Sequence, residues 1–203
     1  MAKQSIPGHP QVGAVILAAG IARRAGVTKQ LLDLNGKPLL QYVIDNVLAS
    51  SADVVLVVLG HDAKAIEAAI ETGEVEIVLN SDYATGQAGS LIAGLQALPA
   101  RCDAAVVLLG DQPGVDAAAI DRVIAHWMEN QAPIVVSVWQ GQRGNPVLIS
   151  RSLFAEIATL TGDTGARAIF ARHADEIEAV EFDRPMPLDV DTLADYRVLT
   201  QET

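Results

Sequence analysis

"VGAVILAAGIARRAG", Val12 to Gly26, decides how the rest of the chain is read. Val12–Ala18 is a short apolar run, rich in Val and Ile, of the kind buried in a sheet between helices. It leads directly into the small residues Ala18, Ala19 and Gly20, then into Arg23, Arg24 and, a little further, Lys29. A connection that only turns the chain needs a glycine and some polar residues. This one leaves the backbone bare, so that amide N–H groups can reach phosphate oxygens, and follows it with cationic side chains suited to a triphosphate or a leaving pyrophosphate. It matches neither the G-x-x-x-x-G-K-[ST] phosphate loop nor the G-x-G-x-x-G dinucleotide fingerprint. On composition alone, a connection with merely solvated basic residues stays as open as an anion-binding loop.

Outward from this stretch, Asp53–Leu59, Val75–Asn80, Asp103–Gly110 and Pro133–Trp139 read as strands of the same kind. Residues 38–50, 62–73, 88–99 and 116–130 have helical spacing between them. Strand alternating with helix predicts an α/β fold, a mostly parallel sheet flanked by helices and joined by right-handed crossovers. Past Trp139 the rhythm loosens into a strand over "RGNPVLI", a helix from Ser152, a loop around "TGDTGAR", a strand near Ile177–Phe182 and a last helix from Thr192. Residues 1–11 read as a flexible leader and 12–203 as a single domain.

Composition narrows the function classes. The 203 residues are 50% hydrophobic but only 4% aromatic, so the core is expected to be aliphatic. A formal net charge of -11 argues against sequence-independent binding to nucleic acid, which runs on neutralising phosphates with Lys and Arg. It leaves room for a small anion held by a few local cations. The single cysteine, Cys102, allows neither an internal disulfide nor a multi-thiolate zinc site within one chain, and reads as a partly buried thiol. No run approaches the ~18 uninterrupted apolar residues of a membrane span, so no membrane is expected as a partner and the cytoplasm is the default compartment.

In open parallel sheets ligands bind where loops leave the carboxyl ends of the strands. At one such end, "LGDQPGV" places Asp111 at the tip of an apolar strand, suited either to Mg²⁺ or to fixing the turn through its side chain. "PLDVDTLADY" offers Asp189 and Asp191, two residues apart on an extended stretch and so on one side of it. One of them fits a second metal ligand, and Asp191 or Thr192 equally fits a helix cap. "NSDYATGQAGSLIAGL" carries Asn80, Gly89 and Ser90 into a helix start, where small residues suit close approach of a base or ribose. "GQRGNPVLI" presents Arg143 and Asn145 on a turn that faces a substrate or is simply irregular, and "TGDTGAR" ends in Arg167, a candidate anion contact. Past Leu59, Asp62 reads as an N-cap. No G-x-S-x-G elbow is present, and the histidines are scattered without metal-ligand spacing.

Taken in order, these segments resemble the MobA-like NTP transferases. "LAAGIARRAGVTKQLLDLNGKPLL" is similar to the nucleotidyltransferase signature L-A-x-G-x-x-x-R-x-G-x-x-K with its G-K-P-L-L sequel, and the other five segments follow at plausible spacing from about Val12 to Tyr196. Within the family, the molybdenum cofactor cytidylyltransferase branch is the most similar. The resemblance implies a single-domain Rossmann-like fold of the nucleotide-diphospho-sugar transferase type. It implies a loop, Leu17, Ala18, Ala19 and Gly20, wrapped round a nucleoside triphosphate, with Arg24 and Lys29 on the phosphates and Asn80, Gly89 and Ser90 among the nucleotide contacts. It further implies Mg²⁺ on Asp111 and Asp191, and Arg143, Asn145 and Arg167 on the substrate side. Ala19, in Leu-Ala-Ala-Gly rather than Leu-Ala-Gly-Gly, points to CTP. The implied reaction moves CMP to the phosphate of molybdopterin, with a molybdenum hydroxylase or its maturation factor as receiver of the product. The alternatives are another phosphorylated acceptor, a different and even redox reaction on this fold, or a non-catalytic carrier of the cofactor. Asn145 stands where many relatives have histidine and Gln112 where many have methionine, both on the expected acceptor side.

Overall fold

The computed structural model describes residues 9–20, 28–160 and 167–201. In chain order the strands are β1 (Gln11–Leu17), β2 (Asp33–Leu34), β3 (Lys37–Pro38), β4 (Val54–Leu59), β5 (Glu76–Leu79), β6 (Cys102–Leu109), β7 (Ile134–Trp139), β8 (Gln142–Ser150) and β9 (Ile177–Phe182). The helices are α1 (Leu39–Ala49), α2 (Ala63–Ala69), α3 (Gln87–Ala97), α4 (Ala117–Asn130), α5 (Phe154–Ile157), α6 (Arg167–Arg172) and α7 (Leu193–Gln201). β2 and β3 form a small hairpin, and the other strands make one seven-stranded sheet in the order β5-β4-β1-β6-β8-β7-β9.

β1, β4, β5 and β6 run parallel, and β4, β5 and β6 are each reached through a helical crossover. β8 alone is antiparallel to its neighbours β6 and β7. The reason is local. β7 and β8 are joined only by Gln140 and Gly141, both at positive φ (46° and 83°), and a link that short closes a hairpin but not a crossover. The reversal carries the start of β8, with Arg143 and Asn145, to the same edge of the sheet as the carboxyl end of β6.

β1 sits centrally and is buried along almost its whole length. Alternate residues feed two cores. Val12, Ala14 and Ile16 pack with Leu40, Val43 and Ile44 of α1 and Ile120, Val123 and Trp127 of α4. Val15 packs on the other face with Leu91 and Leu95 of α3 and with Ile157 and Ile169 further on. The period-2 alternation of a strand thus becomes a three-layer sandwich. Trp127 donates its indole N–H to Ser150 Oγ at 2.7 Å, and Ser150 in turn donates to the Ala132 carbonyl, tying α4 to the end of β8.

Gly94 sets how closely α3 lies on the sheet. A Cβ there would come within 2.3 Å of Val15 Cγ1 and 3.0 Å of Val58 Cγ2. Gly94→Ala is therefore expected to lower the thermal midpoint, because overpacking of about 1–3 kcal/mol exceeds the roughly 1 kcal/mol that alanine gains over glycine in a helix. A midpoint unchanged or raised would show that α3 has room to move off β1.

Candidate active site

The carboxyl ends of β1, β4 and β6 meet around Ala18 and Ala19. Ala18 N donates to the Val58 carbonyl and Gly110 N to the Leu17 carbonyl, both at 2.9 Å, and His61 N donates to the Ala19 carbonyl at 3.3 Å. Both alanines are buried. The strand ends are crowded here: a Cβ on Gly110 would lie 2.9 Å from Ala18 Cβ, and one on Gly60 would lie 2.9 Å from the Ala19 carbonyl oxygen. Gly20 is exposed, with no heavy atom of another described residue within 4 Å of where a Cβ would stand. Arg24 lies outside the described residues.

The chain is described again from Thr28, whose hydroxyl donates to the Asp62 carboxylate. Asp62 occupies the expected N-cap position of α2, but in a left-handed conformation and without a side-chain cap bond, its carboxylate turned to Thr28 instead. Gln30 is buried and donates its amide to the Ala18 carbonyl at 3.0 Å. Between these anchors, Lys29 projects across the strand ends. Its ammonium bonds Asp111 Oδ2 and reaches Asp191 Oδ1 at 2.9 Å. Lys29 and Asp111 side chains are 14% and 17% exposed and that of Asp191 52%, so the amine is sheltered and one carboxylate faces solvent.

Asp111 is held by backbone bonds on both sides of its turn. Gln112 N donates to the Leu109 carbonyl at 3.3 Å, and the Asp111 carbonyl accepts from Val190 N at 3.0 Å. That second bond belongs to a strap, residues 183–192, which crosses from β9 to α7 over the sheet edge. Met186 lies over Gly144, where a Cβ would meet its Sδ at 2.6 Å, and Pro187 lies 3.3 Å from the corresponding point on Gly114. At its far end Thr192 and Asp195 cap α7 reciprocally. The Asp195 carboxylate accepts from Thr192 N at 2.7 Å, and Asp195 N donates to Thr192 Oγ1 at 3.2 Å. Thr192 thus takes the cap, and Asp191 is left to meet Lys29.

Burial works to lower the Lys29 pKa, but the Asp111 and Asp191 carboxylates outweigh it and hold the amine above its ordinary value. Desolvation, with the Asp111 and Asp191 charges, pushes Asp189 up against a hydrogen bond from Gln112. Asp111 Oδ1 is buried and has no hydrogen-bond partner among the described residues. No group of three or more His, Cys, Asp or Glu side chains suited to a metal occurs among them either. The donors that converge are two carboxylates with spare oxygen capacity, which fits Mg²⁺-like binding, where one or two carboxylates and substrate phosphates share the ion with water.

Other candidates fall nearby but in separate groups. Asn80 donates to Ser90 Oγ at 3.0 Å and accepts from Asp82 N at 3.0 Å, so this buried pair shapes the turn into α3. Gly89 is half-buried in the first turn of α3. Arg143 is exposed and Asn145 half-exposed on β8, and the Asn145 carbonyl accepts from Trp139 Nε1 at 2.9 Å. The strap resting on Gly144 joins this edge to Asp191. Arg167 opens α6, its side chain outside the described residues. Gln30 is absent from the sequence expectations. A glutamine beside Lys29 carries no signal of burial, whereas T-x-x-D at 192–195 was a readable capping pattern.

A model of the MobA-like NTP transferase domain matches residues 14–177. The chain belongs to the MobA-like NTP transferase family. As such it carries a nucleotidyltransferase domain. The chain is 30% identical to the nicotine blue oxidoreductase of Paenarthrobacter nicotinovorans over 204 residues, 94% of this chain and 97% of that one. It superposes with a TM-score of 0.85 on a Mycobacterium sp. strain JC1 homolog of Rv0371c, at 32% identity and with 94% and 96% of the two chains covered. For Mycobacterium tuberculosis Rv0371c in complex with manganese the TM-score is 0.83, at 31% identity, covering 95% and 100%.

Replacing Gln30 by leucine removes the donor that satisfies the Ala18 carbonyl. Gln30→Leu is expected to lower stability by about 1–3 kcal/mol in chemical denaturation. Unchanged stability would show that the backbone at Ala18 is fixed by its strand-end bonds alone.

Proposed function

We propose that this chain transfers CMP from CTP to the terminal phosphate of molybdopterin, releasing pyrophosphate. The observation that carries the reading is the meeting of Lys29, Asp111 and Asp191 where β1 and β6 end. A phosphate oxygen of the acceptor attacks the α-phosphorus of the nucleotide, the bond from that phosphorus to the bridging oxygen breaks, and pyrophosphate leaves with the electron pair. A terminal phosphate is already ionised near neutral pH, so no general base is needed, and catalysis rests on alignment and charge.

Lys29 and Arg24 steady the charge that grows on the leaving pyrophosphate, with the backbone from Leu17 to Gly20 lining its path. Asp111 and Asp191 hold Mg²⁺, which when bound neutralises phosphate charge and orients the reacting oxygens. That a relative was solved in complex with manganese supports a divalent ion as the metal. Asn80, Gly89 and Ser90 shape the wall for the nucleoside. Arg143, Asn145 and Arg167 serve the acceptor, and Ala19 favours cytosine over guanine. The reaction suits the cytoplasm, and a molybdenum hydroxylase or its maturation factor receives the product. No helix among the described residues is long and apolar enough to cross a membrane. The near-full-length match to an oxidoreductase favours a second reading, turnover of a redox substrate in the same cleft.

Pyrophosphate release with molybdopterin and Mg²⁺, compared across CTP, GTP and ATP, tests the proposal. Release is expected with CTP, lost in Asp111→Ala and slowed about 10²–10³-fold in Lys29→Ala, the usual loss when one preorganised charge-stabilising group is removed. Preference for GTP would overturn the role of Ala19 alone. Silence with every nucleotide, together with turnover of nicotine blue in the presence of NADH or NADPH, would favour the redox reading.

A further inference from the structure

We propose that the Lys29 ammonium is a resident cation that closes the Asp111–Asp191 pair to divalent metal until a nucleoside triphosphate draws it away, so that nucleotide opens the metal site. The inference rests on the reading of these carboxylates as metal ligands. One ammonium touches Asp111 Oδ2 and lies 2.9 Å from Asp191 Oδ1. It is well sheltered, with its side chain 14% exposed. On either side, Thr28 is tied to Asp62 and Gln30 to the Ala18 carbonyl, which anchors the backbone from which the lysine reaches.

A divalent ion using those same oxygens would lie against the ammonium, and like charges in contact within a sheltered site repel strongly. The two cations therefore compete for one position. Lys29 leaves cheaply only when other anionic oxygens are within reach of its flexible stem, and a triphosphate in the Leu17–Gly20 loop supplies them. The pair is also built for more than the lysine. Asp111 Oδ1 is buried with no hydrogen-bond partner among the described residues, an oxygen that the amine does not use. Metal and nucleotide are then linked, and by reciprocity each tightens the other.

The test is Mn²⁺ binding to the full chain, followed by electron paramagnetic resonance, without nucleotide and with α,β-methylene-CTP. Lys29→Met is expected to tighten Mn²⁺ without nucleotide by about fivefold or more, the lower end of ordinary couplings between sites. Lys29→Arg, which keeps a cation, is expected to stay as weak as the unaltered chain. A folded Lys29→Met protein with unchanged or weaker Mn²⁺ affinity overturns the proposal. If that variant does not fold, the unaltered chain decides: Mn²⁺ bound equally tightly with and without the analogue overturns it as well. Asp111→Asn separates the two layers of the argument. Loss of Mn²⁺ in Asp111→Asn alongside no gain in Lys29→Met removes the gate but keeps the ligand assignment, whereas Mn²⁺ retained in Asp111→Asn removes both.

Discussion

Lys29 joins residues that the chain keeps far apart, Asp111 at a separation of 82 positions and Asp191 at 162. Its single positive charge is opposed by two carboxylates, one sheltered and one open to water. A sheltered charge is tolerated only when paired, and removing one partner of such a pair leaves the other uncompensated. The three segments that bear these residues must therefore be delivered together: the chain at Thr28–Gln30, the tip of β6, and the strap before α7. The parallel arrangement of β1 and β6 does the first part, since it brings both carboxyl ends to one edge of the sheet.

The strap needs its own fastening, because Asp191 lies on irregular chain. Phe182, the last residue of β9, stacks on Trp139 at 4.1 Å between ring centroids, and Arg122 lies over Phe182 at 4.4 Å. Arg184 follows, 5.0 Å from the Trp139 ring and bound to both Asp116 oxygens at 2.7 and 2.8 Å. An exposed ion pair alone contributes little. Here the bidentate geometry is combined with aromatic faces and with the N-cap of α4, where Asp116 also accepts from Ala119 N at 2.9 Å. The Arg184 contact lowers the Asp116 pKa, so the clasp remains charged throughout the neutral range. From there Met186 and Pro187 settle on glycines and Val190 bonds Asp111, and the capping of α7 by Thr192 fixes the far end.

Much of this was legible in the sequence because the signals were periodic or steric. Unbroken apolar runs such as Val54–Leu59 belong to strands covered on both faces, and the order of strands and helices sufficed for the central parallel sheet. Asp111 was visible as a carboxylate at the tip of such a run. The reversed direction of β8 depended on whether Gln140 and Gly141 both adopt positive φ, a choice that an N-G or D-G pair would have announced and Gln-Gly does not. The spacing of Asp189 and Asp191 left the split of duties between Asp191 and Thr192 open, and only T-x-x-D at 192–195 pointed to Thr192 as the cap. Tertiary contact with Lys29 and the local bonds of Asp195 settle which residue caps. Ala18 illustrates the other direction: a small residue read as an opening for a ligand also fits the crowding of its Cβ against Gly110.

The most direct test is a crystal structure with α,β-methylene-CTP and Mn²⁺, read through the anomalous signal of the metal. The expected result is a manganese peak shared by Asp111, Asp191 and the nucleotide phosphates, with the Lys29 amine moved onto phosphate oxygens and cytosine beside the turn into α3. A triphosphate bound away from the Leu17–Gly20 backbone, or manganese elsewhere while Lys29 still bridges the two carboxylates, would contradict the account.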